Sequence, residues 1–174
     1  MRKFLSNVLI VAGMVLLIMA SYMIYLRYSP KKLAFAQTPE VVVSHQSVTP
    51  VRLIIPAADI DTPIIPNKIE NNKWPTSNDG ILYLSTSSTP GEQGNSVFYG
   101  HNWSGILGNL PQVIPGNEIR IKMSDGSTQE FIVEYTDVVE PTLTAIINQT
   151  SDSRITIYTC TGFFDSKRFV VVAK

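Results

Sequence analysis

From Pro50 onward the chain alternates between short apolar runs and turn-forming punctuation, and nearly every run has the length of a strand. The runs are VRLIIP, DTPIIP, ILYL, NSVFYGH, EIRIKM, QEFIVEYTDVV, RITIYTC and RFVVVA, rich in Val, Ile, Tyr and Phe. Gly, Pro, Asn, Asp and Ser clusters such as TPGEQG, IPGN and SDGS separate them, as strand boundaries require. Asp125–Gly126 lies between two alternating segments and predicts a tight hairpin. Only WSGILGNL and PTLTAIINQ read as helical or 3₁₀, and both are short. Eight strand candidates in one segment predict an all-β domain, an eight-stranded closed or nearly closed barrel.

The start of the chain is patterned differently. Phe4 to Leu26 is 23 residues without a charge. As a helix it would run about 34 Å, enough for a hydrocarbon core of roughly 30 Å. Tyr22, Tyr25 and Tyr28 cluster at its far end, where a membrane span meets headgroups. A cleaved leader is the competing reading, because Arg2 and Lys3 precede the run and Ala34-Phe35-Ala36 resembles a cleavage site. The run is too long for a leader, and Arg27, Lys31 and Lys32 intervene, so an uncleaved anchor is the better expectation. Basic residues balance across the segment and leave its orientation open. The expected division is residues 1–3 before the anchor, 4–26 as the anchor, 27–49 as a Pro-, Ser- and Thr-punctuated linker and 50–174 as the folded domain. Val41–Val43 could add a short strand within that linker.

Net charge is zero over the whole chain, but the domain from Pro50 carries nine Lys and Arg against thirteen Asp and Glu, which leaves −4. That sign provides no electrostatic footprint for nucleic acid. Three residues remain as candidate chemistry. Cys160, the only cysteine, ends one strand; His101 follows another beside Trp103; Arg168 opens the last strand. His45, the only other histidine, sits among Ser44, Gln46 and Ser47 and reads as a solvated linker residue. A thiol beside an imidazole supplies a nucleophile and a proton carrier near neutral pH. A guanidinium adds a partner for a developing oxyanion. The same residues also fit a bland account: a small buried hydrophobe, a hydrogen-bonded structural histidine and a surface ion pair. Spacing alone does not choose between them.

Motifs carry the choice further. Thr156-Ile157-Tyr158-Thr159-Cys160 resembles the Thr-Leu-x-Thr-Cys motif of sortases, the cysteine transpeptidases of bacterial cell surfaces. PGEQGNSVFYGH resembles the segment carrying the sortase histidine, RFVVVA the strand opening with its arginine, and RLIIPAADIDTPI its first strand pair. The resemblance covers residues 51–174, and its compactness is similar to the classes with few insertions, D or E. It implies the sortase-type barrel. It also implies Cys160 as nucleophile on the Thr–Gly carbonyl of a Leu-Pro-x-Thr-Gly-like sorting signal, His101 as acid–base and Arg168 as holder of substrate or oxyanion. Thr159 would support the same oxyanion. Ala145, Ile146 and Ile147 would cradle the Leu-Pro side chains or else pack into the core. Phe163, with Phe164, would cap the groove or tuck the short TGFFDSK loop onto the barrel.

The implied partners are surface proteins with C-terminal sorting signals and an amine acceptor, a lipid-linked wall precursor or a pilin lysine. The implied place is the cell membrane, with one pass, residues 1–3 cytoplasmic and the domain outside. No cofactor is implied, and Glu140 alone does not predict the calcium site of some sortases. Two alternatives differ in kind. An L,D-transpeptidase needs Gly close before its cysteine, which IYTC lacks. A sortase-like binding or assembly module without catalysis would keep the fold but has no need of all three residue types.

Overall fold

The computed structural model describes residues 2–27, 33–37, 48–70 and 74–174; His45 and Val41–Val43 lie outside them. The strands are β1 (Pro50–Ile55), β2 (Ile60–Asn67), β3 (Ile81–Leu84), β4 (Gly94–Gly100), β5 (Glu118–Met123), β6 (Thr128–Val139), β7 (Ser153–Thr161) and β8 (Lys167–Ala173). They close a barrel in the order β1-β2-β3-β4-β7-β8-β6-β5, with β5 returning to β1. Each of the eight runs read from the sequence forms one strand. The hairpin forms between β5 and β6, where Gly126 adopts φ 86° and Ser127 donates from N and Oγ to Asp125 Oδ1 at 2.9 and 2.7 Å. PTLTAIINQ holds a 3₁₀ turn, Thr144–Ile147, and WSGILGNL a series of turns ending in another, Leu110–Gln112.

Two of the pairings are parallel, β2 with β3 and β4 with β7. Parallel neighbours cannot be joined by a hairpin, so the chain leaves β4, builds β5 and β6, and returns as β7. That crossover brings two distant strand ends to one edge. Every residue of β4 is buried, because both its faces are covered. Phe98 points inward to a core to which all eight strands contribute, including Leu53, Ile64, Tyr83, Ile121, Phe131, Ile157 and Val171. Val97 and Tyr99 point outward, into a second cluster with Leu82, Leu84, Tyr158, Cys160, Val170 and Val172. Period-2 alternation therefore gives β3, β4, β7 and β8 two apolar faces instead of one.

Ahead of the barrel, α1 (Arg2–Arg27) contains a span, Asn7–Tyr25, long and apolar enough to cross a membrane, and none of that span is buried within the protein.

Candidate active site

The register places the three candidate residues in one row. Gly100 at the end of β4 pairs with Thr159 on β7, so His101 and Cys160 are the next residues along two neighbouring strands. Across the antiparallel β7–β8 pair, Cys160 faces Arg168. Strands lie about 4.8 Å apart, and side chains alternate faces. Tyr99, Tyr158 and Val170, each two positions from a member of the row, all belong to the outer cluster, which puts the row on that face. The β7–β8 ladder runs further than the sequence suggests, through Thr161↔Lys167, and leaves only residues 162–166 as loop. Gly162 enters that loop at φ 79°, a conformation that a side chain strains.

His101 is 5% exposed and stacks on Trp103, ring centroids 4.1 Å apart and planes within 6°. Burial lowers its pKa from the ordinary 6.5, and the nearby Asp165 carboxylate opposes that shift. The imidazole is therefore neutral at pH 7. A histidine held neutral by folding binds protons more weakly than in the unfolded chain, so stability is complete above the unfolded pKa and falls as pH drops below about 6.5. Denaturant midpoints should decline from about pH 7.5 to 5.5 in the parent and stay flat in His101→Gln. Asp61 and Asp125, held below the usual carboxylate range by Arg52 and Ser127, titrate beneath this window. A parent midpoint unchanged over that range contradicts the assignment.

Arg168 is 3% exposed, and its polar partners are backbone carbonyls: Nη1 donates to Asp165 O at 3.2 Å and Lys167 O at 3.0 Å, Nη2 to Ala34 O at 2.7 Å. Its Nε finds no acceptor among the described residues. A buried guanidinium held by carbonyls beside Cys160 is suited to an anion that forms only during reaction. Thr159 turns to the inner face, where Oγ1 donates to Gly100 O at 2.8 Å. Its hydroxyl pins the end of β4 to β7, and so fixes the spacing of His101 and Cys160.

The family model of the sortase domain matches residues 53–174. The chain belongs to the sortase family. Solved structures agree. A sortase C1 from Streptococcus agalactiae, in complex with MTSET, superposes at TM-score 0.62 with 25% identity over 71% of this chain, which spans 65% of that one. A lid mutant of Corynebacterium diphtheriae sortase A gives 0.63 and 26%, covering 74% of this chain and 71% of that one. Listeria monocytogenes sortase A gives 0.59 and 24%, over 74% and 87%. A search by sequence among curated proteins finds no match. Family model and solved structures together give a sortase domain with the sortase barrel.

In this sortase the outer face carries a cluster of packed aromatic rings. Tyr99 stacks on Tyr158 at 5.5 Å, and Trp74 meets Tyr99 edge-on at 5.4 Å. Trp74 Nε1 is buried with no acceptor among the described residues. Of the three residues expected to cradle the Leu-Pro side chains, Ile147 is fully buried in the cluster that contains Cys160, Ile146 packs against it, and Ala145 is exposed. Phe163 stands 83% exposed and Phe164 44%, edge-to-face at 4.3 Å, so neither ring is buried in the barrel. Glu140 pairs with Lys167 at 3.4 Å.

A buried polar network, absent from the sequence reading, holds the Thr144–Ile147 turn. Asn95 Nδ2 donates to Ile146 O and Asn148 O, both at 3.1 Å, while Thr156 Oγ1 donates to Asn95 Oδ1 at 2.8 Å. Gln149 Oε1 accepts from Asn95 N at 3.0 Å and Ser88 Oγ at 2.7 Å. Gly94 has φ 119°, and a Cβ there would lie 2.6 Å from that Gln149 oxygen. Asn95→Ala removes the amide that joins Ile146 O, Asn148 O and the buried Thr156 hydroxyl, and leaves only the longer Thr156 Oγ1–Ile146 O contact at 3.4 Å. It should cost roughly 2 kcal/mol of stability and raise KM for peptide through the loosened turn, as denaturant melts and steady-state kinetics would record. The sequence carries a faint signal for Asn95, a polar side chain inside an apolar strand, but none for its partners.

Residues Leu33–Gln37 lie against the same outer cluster. Leu33 is fully buried and Phe35 nearly so, edge-on to Tyr158 at 4.9 Å and beside Trp74 at 6.4 Å. Tyr158 Oη donates to Leu33 O at 3.1 Å, and Ala36 N donates to Pro141 O at 2.9 Å. Burying two large apolar side chains gains about 3–6 kcal/mol, and three hydrogen bonds about 3 more. Ordering five residues costs roughly 5–10 kcal/mol. Docking is close to balanced.

Proposed function

We propose that the protein is a membrane-anchored cysteine transpeptidase, with α1 as its single span, the N-terminus inside and the barrel on the outer face of the cytoplasmic membrane. The single observation that carries the reading is the row His101–Cys160–Arg168 at the ends of three adjacent strands, on the face that carries the outer apolar cluster.

Cys160 gives its proton to neutral His101, and the thiolate attacks the Thr–Gly carbonyl of a Leu-Pro-x-Thr-Gly-like sorting signal. The negative charge that gathers on the carbonyl oxygen is stabilised by Arg168. Collapse of the tetrahedral intermediate breaks the C–N bond, and the protonated His101 returns its proton to the departing glycine amine, leaving a thioacyl enzyme. An amine, from a lipid-linked wall precursor or a pilin lysine, then attacks the thioester, passes a proton to His101 and releases Cys160. Water in place of the amine gives slow hydrolysis. Thr159 acts in this scheme through Gly100, by spacing the two strand ends, and Ile146 and Ile147 wall the part of the groove that takes the Leu-Pro side chains.

The test is product analysis. Full-length protein in detergent, given a sorting peptide and a glycine-based amine, should yield a transfer product that replaces hydrolysis as amine rises. Intact peptide with every signal tried would leave a sortase-fold module that binds or assembles without catalysis.

A further inference from the structure

We propose that the loop between β7 and β8 docks in the lipid bilayer through Phe163 and Phe164, beside α1, and holds the row of His101, Cys160 and Arg168 at the membrane surface. The inference goes beyond the transpeptidase reading and takes from it only α1 as the membrane span. Outside α1, no large apolar side chain among the described residues is more exposed than Phe163. Phe164 stands edge-on to it, so the loop presents two rings as one apolar tip.

The backbone holds these rings out. Gly162, Phe164 and Asp165 take φ of 79°, 53° and 58°, in the left-handed region. A bulky side chain such as Phe164 is rarely found there, and such a conformation persists only where its surroundings enforce it. Arg168 Nη1 donates to Asp165 O at 3.2 Å, Asp165 N to Gly162 O at 3.2 Å and Ser166 N to Phe163 O at 3.3 Å. The charges that border the rings are engaged elsewhere. Asp165 lies near His101, and Lys167 pairs with Glu140. The tip is a rigid, uncharged projection, a shape suited to lipid.

Its neighbours identify the partner. Phe164 lines one recess with Met19, Tyr22 and Met23, on the last two turns of the span Asn7–Tyr25. Along the helix axis Met19 lies about 9 Å and Met23 about 3 Å from Tyr25. An element resting in a bilayer surface buries its apolar face about 5–10 Å into the boundary of headgroups and acyl chains. The ring therefore sits at the depth such an element reaches.

Chain length agrees with this placement. Leu33, six residues after Arg27, is buried in the outer cluster, so that face of the barrel lies within about 20 Å of the helix end. Phe163 follows Cys160 by three residues, which puts the backbone of the nucleophile no more than about 11 Å from that of the docked residue. The row then opens at headgroup level, at a fixed height for any substrate that itself emerges from the membrane.

Photolabelling tests the depth. Full-length protein is placed in vesicles of phosphatidylethanolamine and phosphatidylglycerol that carry a small share of phosphatidylcholine with a diazirine near the glycerol end of one acyl chain. After irradiation, labelled residues are mapped by mass spectrometry. Residues 162–166 should carry at least ten-fold more label than the exposed hairpin at Asp125–Gly126, and Phe163→Ser/Phe164→Ser should bring them down to the hairpin's level. Label on residues 7–25 with the loop no higher than the hairpin overturns the docking and leaves the anchor standing. Label on neither segment overturns the docking together with the span on which it rests. A folded variant whose loop labels as strongly as the parent's also overturns it, because the anchor alone would then hold the loop at the surface. Should the variant misfold, the ratio of loop to hairpin label in the parent decides.

Discussion

Cys160→Ala abolishes both transfer and hydrolysis of a sorting peptide, with activity at least about 10⁴-fold below the parent, since no other residue in the row can form a thioester. The fold survives the change. Cys160 sits in the outer cluster as a small apolar side chain and alanine removes one sulfur, so the loss of stability is about 1 kcal/mol. Peptide turnover and denaturant midpoints measured on the same preparation separate the two effects. Residual turnover above a hundredth of the parent would mean the nucleophile lies elsewhere.

Arg168→Lys has the next largest effect, a fall of about 10²–10³ in kcat with a smaller change in KM. Charge is retained in this variant, so the loss reports geometry. The guanidinium spreads its donors over Asp165 O, Lys167 O and Ala34 O while facing Cys160 across the β7–β8 pair. An ammonium on a flexible stem cannot hold the loop carbonyls and the oxyanion position together. Steady-state kinetics divide the outcomes. A variant with parental kcat and raised KM would assign Arg168 to ground-state binding alone.

All eight strands and the β5–β6 hairpin were legible in the sequence, because each run is short, rich in Val, Ile, Tyr and Phe, and set apart from its neighbours by turn-forming residues. The pairing order was not. Periodicity carries no information on which strands neighbour one another, and the parallel β4–β7 contact that sets His101 beside Cys160 depends on a crossover. The residue types of the row stood out because the chain holds one cysteine and two histidines. The family motifs then singled out His101 and Arg168.

The outer cluster was legible only in part. Ile146 and Ile147 pack in or against the outer cluster, whereas Trp74 in that cluster comes from a polar loop, in NNKWPTS, with nothing to mark its destination. Residues 33–37 read as linker because five residues show no periodicity. Their place is set by tertiary contacts with Tyr158, Arg168 and Pro141. Asn95 gave only a faint signal for a related reason: a buried amide is recognised by its partners, and Ile146, Asn148 and Thr156 lie more than fifty residues away.

The central claim is covalent chemistry at Cys160. Its most direct measurement is the intact mass of full-length protein, in detergent, after mixing with a Leu-Pro-x-Thr-Gly peptide. The account predicts an adduct equal to the peptide lacking its glycine-side fragment, mapped to Cys160, discharged by an added amine and absent in Cys160→Ala. Peptide cleavage without any adduct, or an adduct that persists in Cys160→Ala, would contradict it.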